Sequence, residues 1–186
     1  MSSTLLIVDA DGVTFRKKSS NKKKSNKSSK SLFGKIYKKF QRGEINLPRL
    51  LRFFAKIFYR NFYLPVSPTL KALDNLGDEY KVIIFTNATE TVVEYIYEVF
   101  DKLNLKKINR VLDSCMTKTL KPDMSGLKKW LDGDDEYSQI LFFDDKKENI
   151  NSFRKTFKNT NAKGYLIENE NLLEVLEDLK ILKSEV

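Results

Sequence analysis

The chain has 186 residues, 41% of them hydrophobic, and 34 Lys or Arg against 25 Asp or Glu give it a formal net charge of +9 at pH 7. That length supports one sizeable core with room for a small insertion. There is no His and only one Cys, Cys115, which excludes serine-histidine triads, histidine-ligated zinc, histidine acid-base chemistry and an intrachain disulfide.

The first strand is the apolar run Leu5-Leu6-Ile7-Val8, which hands over to Asp9-Ala10-Asp11-Gly12. Strand residues two apart share a face, so Asp9 and Asp11 offer two carboxylates to one side of a strand end. Ligands of open α/β sheets collect outside such carboxyl ends. The plain structural alternative is an acidic turn in which Gly12 supplies a permissive dihedral.

After Phe15 the character of the chain changes. Residues 17–31 are only Lys, Ser and Asn, which bury no apolar area to offset ordering entropy, so a mobile loop is expected. Apolar spacing then predicts two helices, over 32–41 and 47–61, with Asn46 as a cap and Pro48 tolerated in the first turn. Pro65 and Pro68 mark the return to the core.

From there strands and helices alternate. Helices are expected over 68–76, 89–103, 123–131, 147–157 and 171–182, and strands over 80–85, 110–115, 138–143 and 162–167. Such alternation implies a largely parallel sheet covered on both faces. Two of these strands end as the first does: Val82-Ile83-Ile84-Phe85 leads into Thr86-Asn87, and Ile140-Leu141-Phe142-Phe143 into Asp144-Asp145. Between them lies Lys121-Pro122-Asp123, with Pro122 and Asp123 expected to open a helix. Taken singly, Thr86, Asn87 and Asp145 read equally well as helix caps and Lys121 as a surface lysine.

The basic charge sits in one place. Residues 16–60 hold sixteen Lys or Arg and one acid, Glu44, a net +15, so everything else carries −6. One reading is a solvated loop with ordinary amphipathic helices. The other is attraction of a polyanion, because Phe33, Tyr37, Phe40, Phe53, Phe54, Phe58, Tyr59, Phe62 and Tyr63 interleave with the basic residues in a mixture suited to stacking bases and neutralising phosphates. An anionic membrane surface is a further option.

In order along the chain, Asp9-x-Asp11-Gly12, Phe85-Thr86-Asn87, Lys121-Pro122 and Phe143-Asp144-Asp145 resemble the motifs of the haloacid dehalogenase (HAD) superfamily of phosphatases, over residues 4 to about 167. Residues 84–88 are similar to the pyrimidine 5′-nucleotidase branch, and residues 142–150 to that branch and to the small magnesium-dependent phosphatases. The resemblance implies a HAD-like (Rossmann-like) three-layer α/β sandwich with a mainly parallel sheet, and a small α-helical cap inserted after the first strand. The core would comprise 1–15 and 64–186, and the basic, partly mobile cap 16–63.

By the same resemblance Asp9 is the nucleophile that becomes a phospho-aspartate and also binds Mg²⁺. Asp145 is the second carboxylate ligand, and Asp144 acts from the next shell. Asp11 gives its backbone carbonyl to the metal, while its side chain serves as acid and then base. Lys121 neutralises charge, with Lys118 as a lesser candidate, and Thr86 and Asn87 hydrogen-bond the phosphoryl oxygens. Many members carry a further acid where Asn149 stands. Because dehalogenases lack the acid at the Asp11 position, a carbon-halogen substrate is not expected.

The expected activity is therefore Mg²⁺-dependent phosphomonoester hydrolysis of a nucleotide or other small organic phosphate, with the cap gating access. The alternatives are a polynucleotide-end or phosphoprotein phosphatase recruited by the cap, a phosphotransferase, and a nucleic-acid-binding module on an inactive core. Cys115 reads as a buried small side chain, and reduced, intracellular surroundings fit a single thiol. No stretch approaches membrane-spanning length and the first apolar run is too short for a signal peptide, so a cytoplasmic or otherwise intracellular location is expected.

Overall fold

A computed structural model describes residues 3–18, 39, 56, 57, 59–108, 110–132, 137–168 and 171–182. Of the expected insertion it covers 16–18, 39, 56, 57 and 59–63, so the Lys/Ser/Asn tract and most of the two expected helices lie outside the described residues.

Five strands form one parallel sheet: β1 (Thr4–Asp9), β4 (Tyr80–Phe85), β5 (Val111–Leu112), β6 (Gln139–Asp144) and β7 (Ala162–Leu166). Their spatial order is β5-β4-β1-β6-β7. The chain builds outward from β1 on one side, then returns to its other side. β1 is thus the central strand and the point where strand order reverses, which is where doubly wound sheets open a ligand crevice. Leu5, Leu6, Ile7 and Val8 are all fully buried, as a strand covered on both faces requires, and an unbroken apolar run is the sequence form of that burial.

Alternation along the strands divides the core in two. On one face Leu6, Val8, Ile84 and Phe143 pack with Leu70 and Leu73 of α1 (Ser67–Asp74), Val92 and Ile96 of α2 (Glu90–Leu103), and Leu172 and Leu176 of α6 (Leu172–Asp178). On the other, Leu5, Ile7, Phe85 and Phe142 meet Leu127 and Leu131 of α4 (Ser125–Leu131), and Ile150 and Phe153 of α5 (Lys147–Thr156). The result is the expected three-layer α/β sandwich. Phe142 and Phe153 stack with centroids 4.7 Å apart, within the range where aromatic pairs add to simple burial.

Several boundaries differ from expectation. The strand expected over 110–115 is only Val111–Leu112, because the Asp113 carboxylate accepts from the Met116 backbone N–H at 2.8 Å and opens the short helix α3 (Ser114–Thr117). Pro122 and Asp123 do not open α4; Asp123 instead accepts from Ser125 N–H at 2.9 Å, so the helix starts at Ser125. The last helix ends at Asp178, and Lys180 takes a left-handed φ of 57°.

The periodicity also misses an antiparallel ribbon. β2 (Phe15–Lys17) pairs with β3 (Tyr63–Pro65), joining Phe15 to Pro65, Arg16 to Leu64 and Lys17 to Tyr63. Lys18 N–H extends the pairing to the Phe62 carbonyl at 2.7 Å. Three-residue strands carry too few alternations to announce themselves. The ribbon joins residues 15–17 to residues 63–65, and residues 59–62, just before β3, are helical.

Candidate active site

Strand register brings the distant motifs together. Asp9 pairs with Phe85 across β1–β4, and Val8 with Phe143 across β1–β6, so Asp9, Thr86 and Asp144 emerge side by side at the carboxyl rim of three adjacent strands. Ligand oxygens of Asp9, Asp144 and Asp145 lie within 4.8 Å of one another. Asp9 is 2% exposed and Asp144 is fully buried, whereas the Asp145 side chain is 33% exposed and faces the rim.

Buried acids need a cation, and the chain supplies one from 112 residues away. The Lys121 ammonium, itself buried, donates to Asp9 Oδ1, to Asp144 Oδ2 at 3.1 Å and to the Phe85 carbonyl at 3.2 Å. Burial alone would draw the Lys121 pKa down, but Asp9 and Asp144 outweigh it and hold the ammonium above its ordinary range. Asp9 goes the other way from a free carboxylate: burial, opposed by Lys121 and reinforced by Asp144, pushes it from 3.8 up to about 7.

The backbone that carries the lysine is gripped by the Asn87 side chain. Asn87 Oδ1 accepts from Lys121 N–H at 2.7 Å, and Asn87 Nδ2 donates to the Lys121 carbonyl at 3.2 Å. This two-point clamp fixes the loop that carries the ammonium. Thr86 is fully buried and its hydroxyl accepts from Ala88 N–H at 3.0 Å. Lys118 is exposed, with φ 58° at the end of α3, and does not share the carboxylate site.

Asp144 is held by three groups: Lys146 N–H at 2.9 Å, Asn149 Nδ2 at 2.9 Å to each oxygen, and Lys121. Asn149 therefore donates a neutral hydrogen bond where a further acid would have added charge. Asp11 is not one of the three carboxylates that lie within 4.8 Å of one another, but its charge acts on Asp9. Burial raises its pKa, against the Tyr59 hydroxyl, which donates to Asp11 Oδ1, and against Lys121. Cys115 is half-buried rather than buried, and burial raises its thiol pKa.

The loop after β1 closes tightly around this arrangement. Thr14 Oγ1 donates to the Asp9 carbonyl at 3.1 Å, and Gly12 N–H to the Phe15 carbonyl at 2.7 Å. Gly12 has φ +92°, and a Cβ there would stand 2.3 Å from Asp145 Oδ2. A side chain there is strained by the backbone conformation and would push the Asp145 carboxylate aside. Gly12→Ala is expected to displace Asp145 and lower activity at saturating substrate at least about 10-fold, by the sensitivity of reacting groups to ångström-scale displacement. Wild-type turnover in that variant would show that Asp145 needs no such approach.

Two observations bear on whether the site suits a metal. Among the described residues Asp9 Oδ2 is buried without a hydrogen-bond partner, an arrangement that costs free energy unless some donor or cation faces it. The three carboxylates also bring oxygen atoms within 4.8 Å of one another, close enough to share one ion. Hard oxygen donors of this kind suit Mg²⁺.

Solved structures give the same fold. The HAD family enzyme BT-2542 from Bacteroides thetaiotaomicron, in its magnesium complex, superposes with a TM-score of 0.69 at 16% identity, covering 95% of this chain and 99% of that one. The same protein in complex with magnesium and inorganic phosphate gives 0.63 at 15% identity, over 93% and 98%. A predicted HAD-like family hydrolase from Porphyromonas gingivalis gives 0.56 at 14% identity, over 98% and 100%. No family model matches the chain, and no curated protein matches it in sequence. The chain has the haloacid dehalogenase fold, as its motif order implies.

Proposed function

We propose that this chain is a Mg²⁺-dependent phosphomonoesterase of the HAD type, acting on a small organic phosphate such as a nucleotide through a phospho-aspartate at Asp9. The observation that carries the reading is the convergence of Asp9, Asp144 and Asp145 within 4.8 Å around a buried Lys121, with Asp9 Oδ2 lacking a partner. The magnesium and phosphate complexes of the BT-2542 fold relative support the choice of ion and substrate class.

Asp9, Asp145 and the Asp11 carbonyl would hold the ion, with Asp144 behind them, and when bound it would offset the repulsion between phosphate and carboxylate, about 4 kcal/mol at 4 Å with an effective dielectric near 20. Asp9 attacks phosphorus through one of its carboxylate oxygens as the leaving oxygen departs. Lys121 keeps Asp9 oriented and balances charge on the phosphoryl oxygens. The Thr86 hydroxyl, already accepting from Ala88 N–H, retains its own proton to donate to one of those oxygens. Asn87 acts here by fixing Lys121. Asp11 protonates the leaving alkoxide and then takes a proton from the water that cleaves the phospho-aspartate. The insertion over 16–63 serves as the cap of this core.

The test is hydrolysis of p-nitrophenyl phosphate and a panel of nucleotides and sugar phosphates with Mg²⁺. Turnover is expected with the ion, abolished by EDTA and restored by added Mg²⁺. Metal-independent turnover, or none across the panel, would overturn the reading.

A further inference from the structure

We propose that Tyr59 is a positioning residue for Asp11, so that the helical segment entering β3 sets the aim of the group assigned as general acid. This deepens the reading above and depends on Asp11 having that role.

The Tyr59 hydroxyl donates to Asp11 Oδ1, and the side chain reaches it from 48 residues away. Its ring is held from several sides. It stacks on Tyr63 at 4.3 Å with an interplanar angle of 10°, meets Tyr95 edge-on at 5.9 Å, and lies 6.2 Å from Phe15. Tyr59 is only 6% exposed. Each supporting ring belongs to a different element: Tyr63 to β3, Tyr95 to α2 and Phe15 to β2.

One turn earlier, Lys56 pairs with Glu98 at 2.8 Å and Glu94 at 3.3 Å on α2, bracketing Tyr95. Exposed pairs of this kind contribute little stability, but they fall on the same docking line as the aromatic contacts. The hydroxyl is therefore delivered by a rigid setting rather than by a free side chain.

The consequence for Asp11 is geometric. With Oδ1 accepting from Tyr59, a proton carried by Asp11 sits on Oδ2. As the Asp9–phosphorus bond forms and the phosphorus–oxygen bond to the alcohol breaks, that proton passes to the leaving oxygen. When water attacks the phospho-aspartate, one of its protons returns to Oδ2 and Asp9 is released. Tyr59 keeps its own proton throughout. It holds one carboxyl oxygen so that the other points at the reaction.

The nature of the leaving group gives a readout that a merely structural role would not move. An alkoxide needs protonation and p-nitrophenolate needs almost none. Tyr59→Phe keeps the ring and its packing and removes only the hydroxyl. The kcat/KM of Tyr59→Phe, which reports formation of the phospho-aspartate and not its later hydrolysis, is expected to fall about 10²-fold for glycerol 2-phosphate and only about threefold for p-nitrophenyl phosphate, within the usual span for general acid catalysis. Asp11→Asn should give the same split with a larger loss, and Tyr59→Phe added to Asp11→Asn should cost little more. Equal losses on both substrates in Tyr59→Phe, or no loss on either, would overturn the inference while the Asp11→Asn split stood. Equal losses on both substrates in Asp11→Asn would instead overturn the role of Asp11 itself.

Discussion

Asp9→Asn is expected to lower turnover of any phosphomonoester at least about 10³-fold, since the amide cannot attack phosphorus and losing a covalent nucleophile removes most of the rate enhancement. The protein should remain folded, because Asn retains the shape of the side chain and an oxygen that accepts from Lys121. Stability against pH gives a second readout. In the metal-free protein burial raises Asp9 from 3.8 to about 7. A group raised on folding contributes stability that is full below its unfolded pKa and lost as pH climbs through the folded one. The metal-free wild type should therefore lose stability between about pH 4 and pH 7, and the Asn variant, which cannot ionise, should lack that part of the loss. Thermal melts in EDTA across this window measure the difference. Parallel pH curves would show that Asp9 ionises without cost, and full turnover in the variant would end its assignment as nucleophile.

Lys121→Met should have the second large effect, on both stability and catalysis. The ammonium bridges two buried carboxylates, and removing one partner of a buried ion pair strands uncompensated charge, at a cost of about 3–5 kcal/mol. For a domain of this size that lowers the melting temperature by roughly 10 °C. Turnover should fall as well, since the phosphoryl oxygens lose their only buried ammonium among the described residues. Mg²⁺ should raise the melting temperature of this variant more than that of the wild type, because a divalent ion restores part of the missing positive charge. A variant within about 1 kcal/mol of wild-type stability would show that Asp9 and Asp144 are not jointly ionised around the lysine.

Much of the fold is legible without coordinates where a single element carries its own signal. The runs Leu5–Val8 and Val82–Phe85 are apolar because both faces of their strands are covered there, and α2 shows its buried face through Val92, Tyr95, Ile96 and Val99. Signals fail where an element is short or is closed by one hydrogen bond. The ribbon of β2 and β3 has three residues a side, and β5 stops after two because of the Asp113 cap. The site divides in the same way. Asp9, Asp144, Asp145 and Lys121 stand in recognisable positions, but nothing local distinguishes Tyr59 from the other aromatics of the insertion, or tells that the Asn87 amide faces the Lys121 backbone.

Short stretches of sequence carry the chemistry on offer: carboxylates released at strand ends, one lysine before a proline, no imidazole anywhere, and an alternation that implies a largely parallel sheet covered on both faces. Those are properties of neighbouring residues, set by side-chain type and by periods of two and 3.6. Which of these groups meet depends on how the elements pack. Register across β4, β1 and β6 places Asp9 beside Asp144, the lysine from residue 121 enters between them, and a tyrosine from residue 59 reaches Asp11. Such pairings arise from how elements far apart in the chain pack, so no window of sequence contains them.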